Sequence, residues 1–131
     1  GSLPYQLKNQ KEVIFLGRLS NKSKSRYLSL PNSILVSTSY YEGFAIPIAE
    51  GALNLLPTIS YNLPEIISVY GNYHNVVKYK DVDAMYFKIM DIIKNYEAYH
   101  NKSRLLRKDI ILKYSISAIN KKLKRILYQD D

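Results

Sequence analysis

Two carboxylates eight residues apart, Glu42 and Glu50, mark the stretch of this chain best placed to do chemistry. Ahead of them Ile34-Leu35-Val36, an apolar run bounded by polar residues, predicts a buried strand. The chain breaks at Glu42-Gly43-Phe44 and restarts at Pro47 with a helical pattern to about Leu55. Proline suits a first helical turn because its missing N–H needs no partner there. Pro57-Thr58-Ile59 then predicts a second strand. Strand, tight loop, helix and strand make a βαβ unit with parallel strands. In such units ligands bind beyond the carboxyl ends of the strands, where helix N-termini point. A phosphate or sugar hydroxyls at the Gly43–Ile46 loop would meet free backbone N–H groups and both carboxylates together. Gly43 permits the turn and close ligand approach.

The flanking elements follow the same alternation. Residues 1–11 read as a flexible polar arm, with Gly1-Ser2 a cloning scar. Glu12–Gly17 predicts a strand ended by glycine, and Arg18-Leu19-Ser20 the loop at its carboxyl end. Asn21 is the expected cap of a helix to about Leu30, stopped by Pro31-Asn32. Beyond the strands 33–37 and 57–60, Pro64-Glu65 opens a short helix ended near Gly71. There Glu65 suits the positive end of the helix dipole, a structural task. Asn75-Val76-Val77 predicts a fourth strand. Asp81 or Asp83 caps a helix to about Tyr96, with Met85, Ile89, Ile92 and Tyr96 on one face. Two more helices are expected, over 97–112 and 115–128. The last places Ile116, Ile119, Leu123 and Ile126 inward and Lys121, Lys122, Lys124 and Arg125 outward. This predicts an α/β fold: an open, mainly parallel sheet of about four strands with flanking helices, Rossmann-like, in one domain over 12–131.

Composition sets the outer limits. The chain has 131 residues, 47% apolar and 23% charged, which fits a single folded domain and not a disordered one. It has no cysteine, which excludes a disulfide framework and thiolate metal sites. No apolar run approaches the ~20 residues of a membrane span. The net charge is +8, and nine Lys or Arg against one acid, Asp109, fall between Asn101 and Arg125. That density reads either as a solvated helical surface or as attraction to anionic lipid headgroups or another domain. The 13 tyrosines are scattered, not grouped in a nucleic-acid motif, so no nucleic-acid partner is expected.

The string Glu42-Gly43-Phe44-Ala45-Ile46-Pro47-Ile48-Ala49-Glu50, followed by Pro57-Thr58-Ile59 and Leu63-Pro64-Glu65, resembles the Glu-x7-Glu signature region of family 4 retaining glycosyltransferases. Phe15-Leu16-Gly17 matches the strand that precedes that signature, and Tyr114-Ser115 falls where the family's last helix begins. The resemblance implies half of a GT-B enzyme, its C-terminal donor-binding domain. It implies a nucleotide-diphospho-sugar as substrate, with neither metal nor other cofactor, and transfer to a hydroxyl of a glycan or lipid held by an N-terminal acceptor domain. By the same resemblance Glu42 is the catalytic carboxylate, holding the donor sugar near its reacting carbon. Glu50 accepts hydrogen bonds from both ribose hydroxyls. Gly43, Phe44, Ala45 and Ile46 offer backbone N–H groups to the diphosphate or sugar, and Gly17-Arg18-Leu19 lies against the base. The implied setting is polysaccharide biosynthesis in the cytoplasm, including its membrane surface.

The chain departs from the family pattern in three places. Ala45 replaces a common glycine. Asn54-Leu55-Leu56 stands where a small residue and glycine usually precede the Pro-Thr-Ile strand. Only about one strand lies upstream of residue 33, where the family domain has two more, with an Arg and a Lys clamping the pyrophosphate. Arg18 with Lys22 and Lys24 is an alternative clamp, but the spacing to Glu42 favours the base loop. A domain so shortened is expected to transfer no sugar alone, and its first strand must pair differently or leave an exposed edge that invites self-association. The rivals are a non-catalytic glycosyltransferase-like binding module and, on charge alone, a basic nucleic-acid-binding domain. His74 and His100 stand apart from other ligand residues, and both are expected at the surface.

Overall fold

A computed structural model of the chain describes residues 12–40, 45–115, 120–121 and 124–125. Helix α1 (Asn21–Leu28) leads to strand β1 (Leu35–Ser37), then α2 (Ile46–Leu53), β2 (Thr58–Tyr61), α3 (Pro64–Tyr70), a 3-10 turn (Gly71–Tyr73), β3 (Asn75–Val77), α4 (Val82–Lys94) and α5 (Tyr96–Tyr114). The sheet is parallel throughout, in the order β1-β2-β3, with Val36 opposite Ile59 and Ser60 opposite Val76. β2 is central, and all four of its residues are buried, as its short apolar run requires.

The alternation of side chains along β2 divides the core in two. Ile59 and Tyr61 point to one face, where Met85 and Ile92 of α4 close over them with Ile34, Val77 and Ile89 alongside. The helical spacing of Met85, Ile89 and Ile92 therefore does mark the buried side of α4, whereas Tyr96, expected on the same helix, opens α5 and packs against this cluster from there. The other core cluster unites α2, α3 and α5 through Ile48, Ala52, Ile66, Tyr70 and Leu106, with Leu35 against it. Each large side chain buried in this way contributes about 1.5–3 kcal/mol over leaving it exposed. Helix α2 lies unusually close to the sheet: a Cβ added to Gly51 would fall 3.0 Å from Leu35 Cβ and 3.1 Å from Thr58 Cγ2.

Two expectations need correction here, and one alternative is decided. The segment Glu12–Gly17 is not a strand, so among the described residues the sheet has three strands instead of about four. Val13, Ile14, Phe15 and Leu16 are exposed, because an apolar run becomes a strand only where a neighbour completes its ladder, and no described strand does so. The cap of α1 is Ser20 instead of Asn21: its Oγ accepts the Ser23 N–H at 3.2 Å, and its extended backbone stops the helix. Asp81, not Asp83, caps α4 by accepting the Ala84 N–H at 2.8 Å.

The Asn54-Leu55-Leu56 departure leaves the end of α2 intact. The Leu56 N–H reaches the Gly51 carbonyl at 3.0 Å and the Leu55 N–H the Ala52 carbonyl at 2.9 Å, a Schellman closure. Leu55 takes the left-handed conformation (φ 63°) that favours glycine, at a cost of roughly 1–2 kcal/mol. Helix α5 compensates: His100 Nδ1 donates to the Leu55 carbonyl at 2.9 Å and Arg107 Nε to the Leu53 carbonyl at 3.1 Å. Among the described residues no helix is long and apolar enough to cross a membrane. The inward residues expected for a last helix, Ile116, Ile119, Leu123 and Ile126, lie outside the described residues.

Candidate functional site

Glu50 sits one turn inside α2, half-buried, facing α1 across a cleft of about 220 Å³. Lys24 of α1 closes on it: its Nζ is 3.3 Å from Oε2 and 3.4 Å from Oε1. Asn21 and Ser25 add polar groups to the same cleft. Next to it, Leu28, Leu35 and Pro47 give Lys24 and Glu50 an apolar flank around a further 190 Å³. A carboxylate with an apolar wall on one side and polar groups on the other suits a small amphipathic ligand. A larger cavity, about 340 Å³, lies at Leu30, Pro31, Leu55, Tyr96 and His100. Leu30-Pro31 precedes β1 and Leu55 precedes β2, so that cavity opens at the amino ends of the strands, the unfavourable end for a ligand in an open parallel sheet.

The start of α2 is built with care. Ala45 is its N-terminal boundary, buried and left-handed (φ 54°, ψ 58°), a conformation that glycine would take freely and alanine takes only when held. The hold comes from Tyr70, wholly buried on α3, whose hydroxyl donates to the Ala45 carbonyl at 2.9 Å. The Ile48 N–H meets that same carbonyl at 3.0 Å. Pro47 has no N–H, so Ile46, which is exposed, is the residue of this first turn best able to offer one outward. Glu42, Gly43 and Phe44 lie outside the described residues.

Gly17, Arg18 and Leu19 form irregular backbone just ahead of Ser20, the cap of α1, with Gly17 left-handed at φ 64° and Arg18 exposed. The loop runs straight into the helix that carries Lys24. Lys24 is in contact with Glu50, a pairing that a separation of 26 residues conceals in the sequence.

His74 corrects the expectation of a surface histidine. It is buried behind β2, with Nδ1 2.7 Å from Thr58 Oγ1 and Nε2 2.7 Å from Ser60 Oγ. The Ser60 hydroxyl donates to the Tyr61 carbonyl at 3.0 Å, so it accepts from Nε2–H, leaving Nδ1 to accept from Thr58. Burial, aided by the nearby Lys102 ammonium, lowers His74 from its ordinary 6.5 to about 4. Asn75 extends the network, donating to the Thr58 carbonyl at 2.9 Å and accepting from Lys102 Nζ at 2.7 Å. Burial also lowers Lys102, with the Lys88 charge adding to the effect. Two polar side chains two apart on a fully buried strand, Thr58 and Ser60, were the available signal for this network. His100, also expected at the surface, is half-buried and stacked on Tyr96 with ring centres 6.1 Å apart.

A search of the curated proteins and a search of the solved structures each found no match. The family model described as glycosyl transferases group 1 matches residues 2–109. That span holds every strand of the sheet, the Lys24–Glu50 cleft and the loop before α2, and the chain belongs to the group 1 glycosyltransferases.

Proposed function

We propose that the chain is the donor-binding half of a retaining glycosyltransferase of family 4 type, acting on a nucleotide-diphospho-sugar. The observation that carries this reading is Glu50: a carboxylate on the helix after β1, aimed into a cleft between polar and apolar walls in a glycosyltransferase domain. Its two oxygens are suited to accept from a vicinal diol, and the ribose is the diol a nucleotide presents. Gly17-Arg18-Leu19 would border the base. The Ile46 N–H and those of Gly43, Phe44 and Ala45 would face the diphosphate or the sugar. Glu42 would align the reacting carbon.

In this reading the departing diphosphate is stabilised by helix N–H groups and basic side chains, and the charge building on the sugar by Glu42. The acceptor, a hydroxyl of a glycan or lipid, would come from a second, N-terminal domain. Exposed Lys121, Lys124 and Arg125 support placing this surface against anionic lipid headgroups. Titration calorimetry with UDP and GDP tests the reading. At least one nucleotide should bind the chain, and Glu50→Ala should weaken it by one to two decades. Failure of every nucleoside diphosphate to bind would remove the donor assignment.

A further inference from the structure

Each of the three strands is followed, at its carboxyl end, by a tyrosine of one cluster. Tyr61 ends β2, Tyr40 follows β1 by three residues and Tyr79 follows β3 by two. Their ring centres are 5.8 to 6.1 Å apart, two of the three pairs edge to face. Tyr61 is buried and forms the floor, whereas Tyr40 and Tyr79 are 48% and 40% exposed. Lys80, left-handed at φ 65°, places its ammonium 4.9 Å from the Tyr40 ring centre and 5.2 Å from that of Tyr79. The adjacent acid, Asp81, is turned to the Ala84 N–H as the cap of α4. This cluster belongs to the α4 side of the sheet, because Tyr61 packs with Met85 and Ile92, whereas Glu50 belongs to the α2 side.

The geometry points to a second ligand site here, taking a sugar ring that carries an anionic group. Aromatic faces bind the C–H face of a pyranose, and phenol hydroxyls can meet its oxygens. A cation over an exposed ring is held more weakly than one hydrogen-bonded to an anion, so a carboxylate or phosphate would draw Lys80 off the two rings. The faces it uncovers are then open to the sugar. The carboxyl ends of parallel strands are where such a ligand is expected, on either side of the sheet.

The anionic sugar has two sources, a uronic acid residue of a glycan or a sugar phosphate. Binding of the chain is measured by NMR titration with a glucuronic acid disaccharide, with glucose 1-phosphate and with a matched neutral disaccharide. At least one anionic sugar should bind five- to tenfold tighter than the neutral one, and whichever binds tighter names the source. Lys80→Met should abolish that preference, Tyr79→Ala should weaken all three, and Tyr79→Phe should fall between. Circular dichroism of each variant separates lost binding from lost fold. Equal binding of charged and neutral sugars, no binding of any, or indifference to Lys80→Met would each overturn the proposal. UDP and GDP binding should not respond to Lys80→Met. A chain that holds the acidic sugar but no nucleotide would end the donor reading while leaving this one standing.

Discussion

Lys24 and Glu50, 26 residues apart, meet across the cleft between α1 and α2, with one ammonium set almost equally between two carboxylate oxygens, 3.3 and 3.4 Å away. Both side chains keep contact with solvent, so the pair stabilises the fold by only about 0.2–1 kcal/mol. Its value is orientation: the carboxylate is presented to the cleft before any ligand arrives. Lys24→Met should therefore leave the thermal midpoint nearly unchanged and weaken nucleotide binding only a few-fold, well short of Glu50→Ala. A loss from Lys24→Met as large as that from Glu50→Ala would mean that Lys24 itself is the main ligand group.

Tyr70 ties α3 to the start of α2 through the Ala45 carbonyl. Tyr70→Phe keeps the buried ring and deletes the hydrogen bond to the Ala45 carbonyl, a bond worth about 0.5–1.5 kcal/mol by denaturant unfolding. Because the left-handed Ala45 depends on that hold, amide exchange should rise at Ile46 and Ile48 beyond the global change. A uniform rise across the domain would make Tyr70 an ordinary core residue.

Burial of His74 gives the fold a pH dependence whose sign follows from the lowered pKa. It is neutral when folded, with a pKa of about 4 against 6.5 when free, so between these values the unfolded chain binds the extra proton. Its contribution is complete above pH 6.5 and is lost as pH falls toward 4, amounting to about 3 kcal/mol over the window. His74→Gln should lower stability at pH 7 and flatten the fall between pH 6.5 and 4.5. An unchanged slope would place that titration elsewhere.

The sequence carries the fold wherever an apolar run has a partner. β1, β2 and β3 lie within a residue or two of where runs and turn residues put them, and Asn75–Val77 lies where expected. Val13–Leu16 is as apolar as β1, but hydrophobicity states what a segment would bury and not whether a neighbour is there to bury it. The same limit governs the site. Glu50 is legible because a βαβ unit fixes the helix that bears it. Lys24 and His74 are not, since their partners come from elements that only the folded chain brings near. The parallel register opposing Ile59 to Asn75 sets His74 beside Thr58 and Ser60, and no local pattern around an isolated histidine announces that.

Whether Glu50 holds a ribose, as proposed, is decided by a thermodynamic cycle. Binding of the preferred nucleoside diphosphate and of its 2′,3′-dideoxy form is measured on the chain and on Glu50→Ala. The mutation should weaken the normal nucleotide by about 1.5–3 kcal/mol, roughly ten- to a hundredfold, because one partner of a charge-assisted hydrogen bond is lost. The dideoxy form should bind the unaltered chain weakly and change less than about threefold on mutation, since the hydroxyls that Glu50 accepts from are already gone. Equal weakening of both nucleotides would remove the ribose assignment, for Glu50 would then act on something else.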